Sequence, residues 1–345
     1  MKRRWQNKIA ESSATLPVAC VVTTLLWWLP QATYSTDYLL GLAACALTTY
    51  VIIETNAVNA LLRIRSRMVS SLFLLLMAVC GFLHPLQHAT LVLFFVASSF
   101  YFLLRTYEKL RPEADTFHSF LCLSLASLFW PSVWLLFIIQ LWNLGVYLRA
   151  LQWKSFGAAF MGLLLPYVFW GTAALALGQT TPFLEQCAAI IAPFTEPFSW
   201  QWVIQLGQTA DWNGFWSGVH LGLSERLTLA AQTHLPELLA LLLIILWGLT
   251  GFIHYLRKSY DDKIRVRMCH YTFMTMLVSL WLWLLLRPSD LQYLLPLLLL
   301  TTAPSAAHFI ALTRTRLTNL WVMLLTLGLI AIGVIALTPF PLFYS

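Results

Sequence analysis

The chain is dominated by apolar runs that are hard to place in a water-facing fold: Leu72 to Leu83, Leu91 to Leu104 and Leu238 to Ile253 are almost uninterrupted. With their flanking residues such runs approach the ~20 residues that a helix needs to cross a hydrocarbon layer about 30 Å thick. Lipid offers no partner to a backbone N–H or C=O, so each run has to satisfy its own groups as a helix. No period-two alternation suggests a membrane barrel. Only 10% of the 345 residues are charged, against about 25% in ordinary soluble domains, too few to build a soluble surface. The expectation is an all-α chain, a polytopic helical transmembrane bundle forming a single transmembrane domain over residues 1–345.

Spans are placed at Leu16 to Leu29, Tyr38 to Ile53, Met68 to Leu83, Thr90 to Leu104, Phe117 to Trp130, Val133 to Leu148, Phe156 to Leu177, Leu235 to Tyr255, Met268 to Leu286, Tyr293 to Leu312 and Leu320 to Leu337. The stretch from Phe117 to Leu148 could be one long helix or two short ones around Trp130-Pro131-Ser132. Charge decides between them. With two helices, 19 of the 21 Lys and Arg residues fall on the side of the N-terminus, leaving only Arg226 and Arg287 opposite. With one helix, everything downstream inverts and the division becomes 12 against 9. Cytoplasmic loops collect Lys and Arg, so the two-helix reading is preferred, giving about eleven spans with the N-terminus inside and the C-terminus outside. The inner side then carries +12 and the outer side −5. The net charge of +7 is therefore a topology signal, and no nucleic-acid partner is expected.

Met1 to Lys8, followed by Leu16 to Leu29, has the shape of a signal peptide, but the apolar stretch ends Trp27-Trp28-Leu29-Pro30 without a small-residue exit. It reads as a retained first span. Cys20, Cys45, Cys80, Cys122 and Cys269 lie in or beside apolar runs and Cys187 in an outer loop, with no CxxC spacing for metal or redox work. Nucleotide fingerprints such as GxxxxGK[ST] and GxGxxG are absent, and no cofactor is expected. The one large loop, residues 178–234, is expected on the outer face, with short helices at Leu184 to Ala192 and Leu223 to Gln232. Between them lie Trp200, Trp202, Trp212 and Trp216, which could stack on sugar rings or anchor the loop at headgroup depth.

Ionisable residues within apolar spans often mark ion paths, and few are apparent. His308 and Glu237 are the nearest cases, with Gln140 and Asn143 forming a polar step. An ion-coupled transporter is disfavoured accordingly. On the outer side, His220, Glu225, Arg226 and His234 fall close together, and Arg287 stands near Asp290. An outward arginine could hold a lipid pyrophosphate and an outward histidine could move a proton. His84 and His88 flank Pro85, which breaks the spacing a metal site would need. Asp261 and Asp262 lie within a basic run and read as a solvated loop. Asp37 sits in the first outer loop, where membrane glycosyltransferases of the GT-C class carry an acidic catalytic residue. Here that loop is only about seven residues long and holds no acidic pair.

The stretch from Ser124 to Trp170, a short helix, a proline hairpin, a second helix ending at Arg149 and then Gly162-Leu-Leu-Leu-Pro166, resembles a segment of an uncharacterised polytopic membrane protein family of Bacteroidota. That resemblance implies the inner membrane of a Gram-negative cell and brings no activity. The functional expectation is an envelope protein handling lipid-linked glycan at the outer face, with His220, Arg226, Arg287 and Asp37 as candidate catalytic residues. Its partners would be the bilayer, the glycan lipid and other envelope membrane proteins. The competing expectations are a non-catalytic membrane subunit or assembly factor, and a flippase or transporter.

Overall fold

A computed structural model describes residues 5–28, 35–64, 66–195, 235–313 and 315–337. Among them are thirteen α-helices and no strand. They are α1 (Trp5–Glu11), α2 (Thr15–Trp28), α3 (Thr36–Asn59), α4 (Met68–Val79), α5 (His88–Arg105), α6 (Glu113–Phe129), α7 (Trp134–Val146), α8 (Trp153–Ala176), α9 (Thr181–Thr195), α10 (Leu235–Lys258), α11 (Ile264–Leu286), α12 (Leu291–Leu312) and α13 (Arg316–Leu337). Seven of them, α3, α5, α8, α10, α11, α12 and α13, are long and apolar enough to cross a membrane. The apolar α2, α4 and the stretch Pro131–Val146 are shorter. The protein is a membrane-embedded, multi-pass helical bundle.

Proline chemistry explains the break between α6 and α7. Pro131 forces its predecessor away from helical backbone angles, and Trp130 is extended at φ −142°, ψ 98°. One 3-10 turn, Pro131–Val133, follows before α7 begins. The helix from Leu184 to Ala192 is present within α9, which packs beside that turn and α8. The four loop tryptophans and the helix expected at Leu223 to Gln232 lie outside the described residues.

Polar contacts gather the connections at two ends. At the end rich in basic residues, Gln6 Nε2 donates to the Thr313 carbonyl at 2.6 Å and Asn7 Nδ2 to that of Ala311 at 2.8 Å. There too Ser66 donates to the Ala10 carbonyl, and Arg265 to Asn59 Oδ1 at 3.2 Å. At the opposite end the Leu86 N–H donates to the Asp37 carbonyl at 2.9 Å, Trp27 Nε1 to that of Tyr38 at 3.0 Å, and Gln186 Nε2 to that of Ser127 at 2.9 Å.

The centre of the bundle is α12, which is buried along its whole span and packs against α4, α5, α10 and α11. A helix apolar on every side can lie in lipid or among other helices, and α12 is enclosed by its neighbours. By contrast α3, α8 and α13 bury only 28% of their spans and turn Leu40, Val168, Phe169 and Leu327 outward, as lipid-facing helices do. The approach of α10 to α12 is close enough to require glycine. A Cβ on Gly251 would lie 2.7 Å from the Ser305 carbonyl carbon. Small residues let backbones meet where lipid supplies no hydrophobic drive for association.

Gly251→Val is expected to lower stability in detergent by about 1–3 kcal/mol, read from the thermal midpoint. Gly157→Ala, where an added Cβ meets nothing within 4 Å, should leave it unchanged. Equal midpoints for both would remove the close helix contact from the account.

Candidate functional site

The residues nominated from sequence are dispersed. Asp37 lies exposed in the first turn of α3, behind an N-cap in which Ser35 Oγ accepts its N–H at 3.3 Å. That is a helix-start position, and the Asp37 carbonyl ties the turn to Leu86. Arg287 closes α11, its N–H donating to the Trp283 carbonyl at 2.7 Å. Beside it Trp283 Nε1 donates to Asp290 Oδ2 at 3.1 Å, and Trp130 packs on Trp283 and Tyr293 at ring distances of 4.9 and 5.0 Å. His220 and Arg226 lie outside the described residues. Glu237 falls in the first turn of α10. His84 and His88 serve different neighbours: His84 stacks on Trp27 at 4.0 Å, and His88 meets Phe129 at 5.9 Å. Gln140 and Asn143 are fully buried on one face of α7, where Gln140 Oε1 accepts from Ser99 at 3.0 Å.

The densest polar constellation among the described residues is at the basic end, and it overturns the reading of Asp262 as solvated. Its side chain is completely buried, whereas that of Asp261 is 40% exposed. Asp262 sits in the connection between α10 and α11, and each carboxylate oxygen has a partner. Oδ1 accepts from Arg63, in the connection between α3 and α4, and Oδ2 accepts from His308 Nε2 at 3.1 Å. Burial works against the charge on this carboxyl, but the hydrogen bonds from His308 and Arg63 outweigh it and hold the pKa down to about 2. An ionised carboxylate can only accept, so His308 carries a proton on Nε2.

Around this pair, Tyr255 and His254 from α10 and His270 from α11 converge on His308. Ring distances to His308 are 4.8 Å for Tyr255, 5.5 Å for His254 and 5.4 Å for His270. His270 stacks on Tyr255 at 4.3 Å and donates Nε2–H to the Leu61 carbonyl at 2.7 Å. One helical turn deeper, a small cavity is lined by Leu61, Phe100, Phe273, Leu300 and Pro304 among others; it has room for about one water. Chemically the arrangement is a buried Arg–Asp–His chain with further imidazoles packed on it. It locks α12 to two connections, α3–α4 and α10–α11, and it contains groups able to hold and pass a proton. Among the described residues no three His, Cys, Asp or Glu side chains are disposed to hold a metal ion.

Sequence reasoning singled out His308 and missed its partners. The available signal was depth. His254 and His308 each precede the ends of their helices by four residues, and His270 follows the start of its helix by six. At 1.5 Å per residue all three lie about 6–9 Å inside the same end. Comparison of the chain with family models, with curated proteins and with solved structures gives no match.

Removing the charge of Asp262 strands a buried imidazole and part of a guanidinium. Asp262→Asn is expected to cost about 3 kcal/mol, toward the low side for breaking a buried pair because Arg63 remains 33% exposed. The pKa of Asp262 is lower in the folded state than the ~3.9 of an unfolded chain, so its contribution is present above pH ~4 and lost as pH falls toward 2. Wild-type protein should therefore lose part of its thermal stability between pH ~4 and 2, and Asp262→Asn should show a smaller loss across that window. Parallel pH profiles would exclude this linkage.

Proposed function

We propose that the chain is an inner-membrane protein of a Gram-negative cell with about eleven spans and its basic end in the cytoplasm. Its outer face handles a lipid-linked glycan, as a transferase, polymerase or ligase. The observation that carries this reading is the position of Arg287. It closes α11 at the end opposite the basic loops, beside the aromatic group of Trp130, Trp283 and Tyr293. A lipid pyrophosphate needs a cation to meet it, and a guanidinium meets phosphate with two parallel hydrogen bonds. On the charge-derived topology only Arg226 and Arg287 are basic on that side. His220 is the proton carrier this reading would use, and Asp37 its candidate acidic residue.

The second reading is a non-catalytic membrane subunit or assembly factor. The Arg63–Asp262–His308 chain favours it, because that cluster bonds inward and fastens connections together. A flippase or transporter is less well supported. The Arg63–Asp262–His308 cluster lies at one end and the buried His84 at the other, while Leu294 to Leu300 in the middle of α12 carries no ionisable group.

Two measurements test the proposal. A reporter active only outside the cytoplasm should give signal when fused at Ser132 and none at Lys154; silence at Ser132 would remove the outer-face assignment. Arg287→Lys should reduce complementation of a deletion strain roughly tenfold, about what loss of one charge-assisted hydrogen bond implies, at unchanged membrane abundance. Full complementation by this variant and by Arg226→Lys would leave the scaffold reading.

A further inference from the structure

Two connections at the basic end, residues 106–112 and 147–152, are joined by a backbone hydrogen bond from the Glu108 N–H to the Leu148 carbonyl at 3.2 Å. Glu108 and Arg149, beside that bond, both have left-handed backbones, φ 50° and 52°. For residues with a side chain this conformation costs about 1–2 kcal/mol each. Such strain persists only where the surroundings impose it, and here further bonds do so. Leu148 and Ala150 donate their N–H groups to the Asn143 and Leu144 carbonyls, both at 3.0 Å, and Ser155 donates to the Ala150 carbonyl at 2.7 Å. The result is an ordered ledge rather than a loose loop.

What the ledge presents is a mixture that bulk water does not favour. Leu110 is 92% exposed, Trp153 90% and Leu151 44%. Between and beside them stand Arg111, Arg149 and Lys154, all exposed, with no ion pair to any described residue. Of the acidic groups nearby, Asp115 takes Lys109 and Arg105, and Glu108 and Glu113 are outnumbered by the three cations. An exposed indole among unpaired cations fits the boundary between acyl chains and headgroups, where the ring inserts and the cations meet phosphate. Trp153 opens α8, whose outer residues Phe160 and Val168 continue the same apolar face.

We propose that this ledge is a binding site for an anionic phospholipid headgroup, with Arg111, Arg149 and Lys154 on the phosphate and Trp153, Leu110 and Leu151 on the upper acyl chain. The assignment rests on charge complementarity and on continuity with the lipid-facing surface of α8. It requires only that the chain be membrane-embedded, so it stands or falls apart from the outer-face reading.

The full chain in nanodiscs containing equal phosphatidylglycerol and phosphatidylcholine should retain phosphatidylglycerol preferentially on extraction, measured by native mass spectrometry. Each cation near a charged headgroup adds about fivefold, so replacing Arg111, Arg149 and Lys154 together by Gln should abolish most of the preference. Trp153→Ala alone should weaken retention of both lipids. Replacing Arg257, Lys258 and Lys263 by Gln, at the same end but off the ledge, should leave the preference in place. Absence of preference in the wild type overturns the site. Equal loss in the two triple variants overturns its location, because the general charge of that end would then account for the effect. Helix content and monodispersity identify a misfolded variant; in that case Arg111→Lys with Arg149→Lys, which keeps the charge, must keep the preference for the proposal to survive.

Discussion

A helix enclosed on all sides has to settle the polar groups at its ends without water or lipid, and α12 is such a helix. Within its length, hydroxyls turn back on the backbone: Thr301 to Leu297, Thr302 to Leu299 and Ser305 to Thr302, at 3.0 to 3.2 Å. Those bonds accompany two internal prolines, Pro296 and Pro304, each of which removes one backbone donor. In a membrane helix such breaks are tolerated when side chains and neighbouring helices compensate. At its last turn α12 is held from outside. Gln6 and Asn7 of α1 take the carbonyls of Thr313 and Ala311, and Asp262 takes His308. The N-terminal helix, the α3–α4 connection and the α10–α11 connection therefore share one function, which is to finish the end of α12.

Much of this architecture is legible from apolar length and loop charge, because a spanning helix is a local object. The helices fall within a few residues of their expected places, and the proline at position 131 divides α6 from α7. Helix-to-helix convergence is different in kind. Asp262 sits among Lys258, Lys263 and Arg265, and any reading of neighbours in sequence makes it a solvated residue compensating nearby cations. Its burial follows from Arg63 and His308, which belong to distant parts of the chain. Only the shared depth of the three histidines hinted at the convergence, and depth becomes informative only after the antiparallel order of α10, α11 and α12 is fixed. The small α1 was read only as a basic start; its role depends on two amides meeting carbonyls some three hundred residues away.

The two ends of the bundle differ in how they are held. One is fastened by ions and amides, the other chiefly by aromatic packing and backbone bonds: Trp27 on His84, Trp130 on Tyr293 and Trp283, and Leu86 to Asp37. Indole and phenol rings suit a membrane boundary because they combine a large apolar face with one polar group. Arg287 stands at that end beside Trp283 and Asp290.

A cluster of ionisable groups confined to one end also limits what the bundle can do. To carry protons across, a chain of titratable groups or waters must continue through the middle of the membrane. Beyond the histidines the path meets an apolar cavity with Phe100, Phe273 and Leu300 in its wall, and the Leu294–Leu300 stretch of α12 is buried among neighbouring helices. The polar pair Gln140 and Asn143 sits on α7 and is tied through Gln140 to Ser99 of α5, on a separate line from the histidines. Charge that is paired, buried and terminal stabilises one arrangement of helices against others more readily than it conducts. On that argument the Arg63–Asp262–His308 chain is the fastening of the bundle.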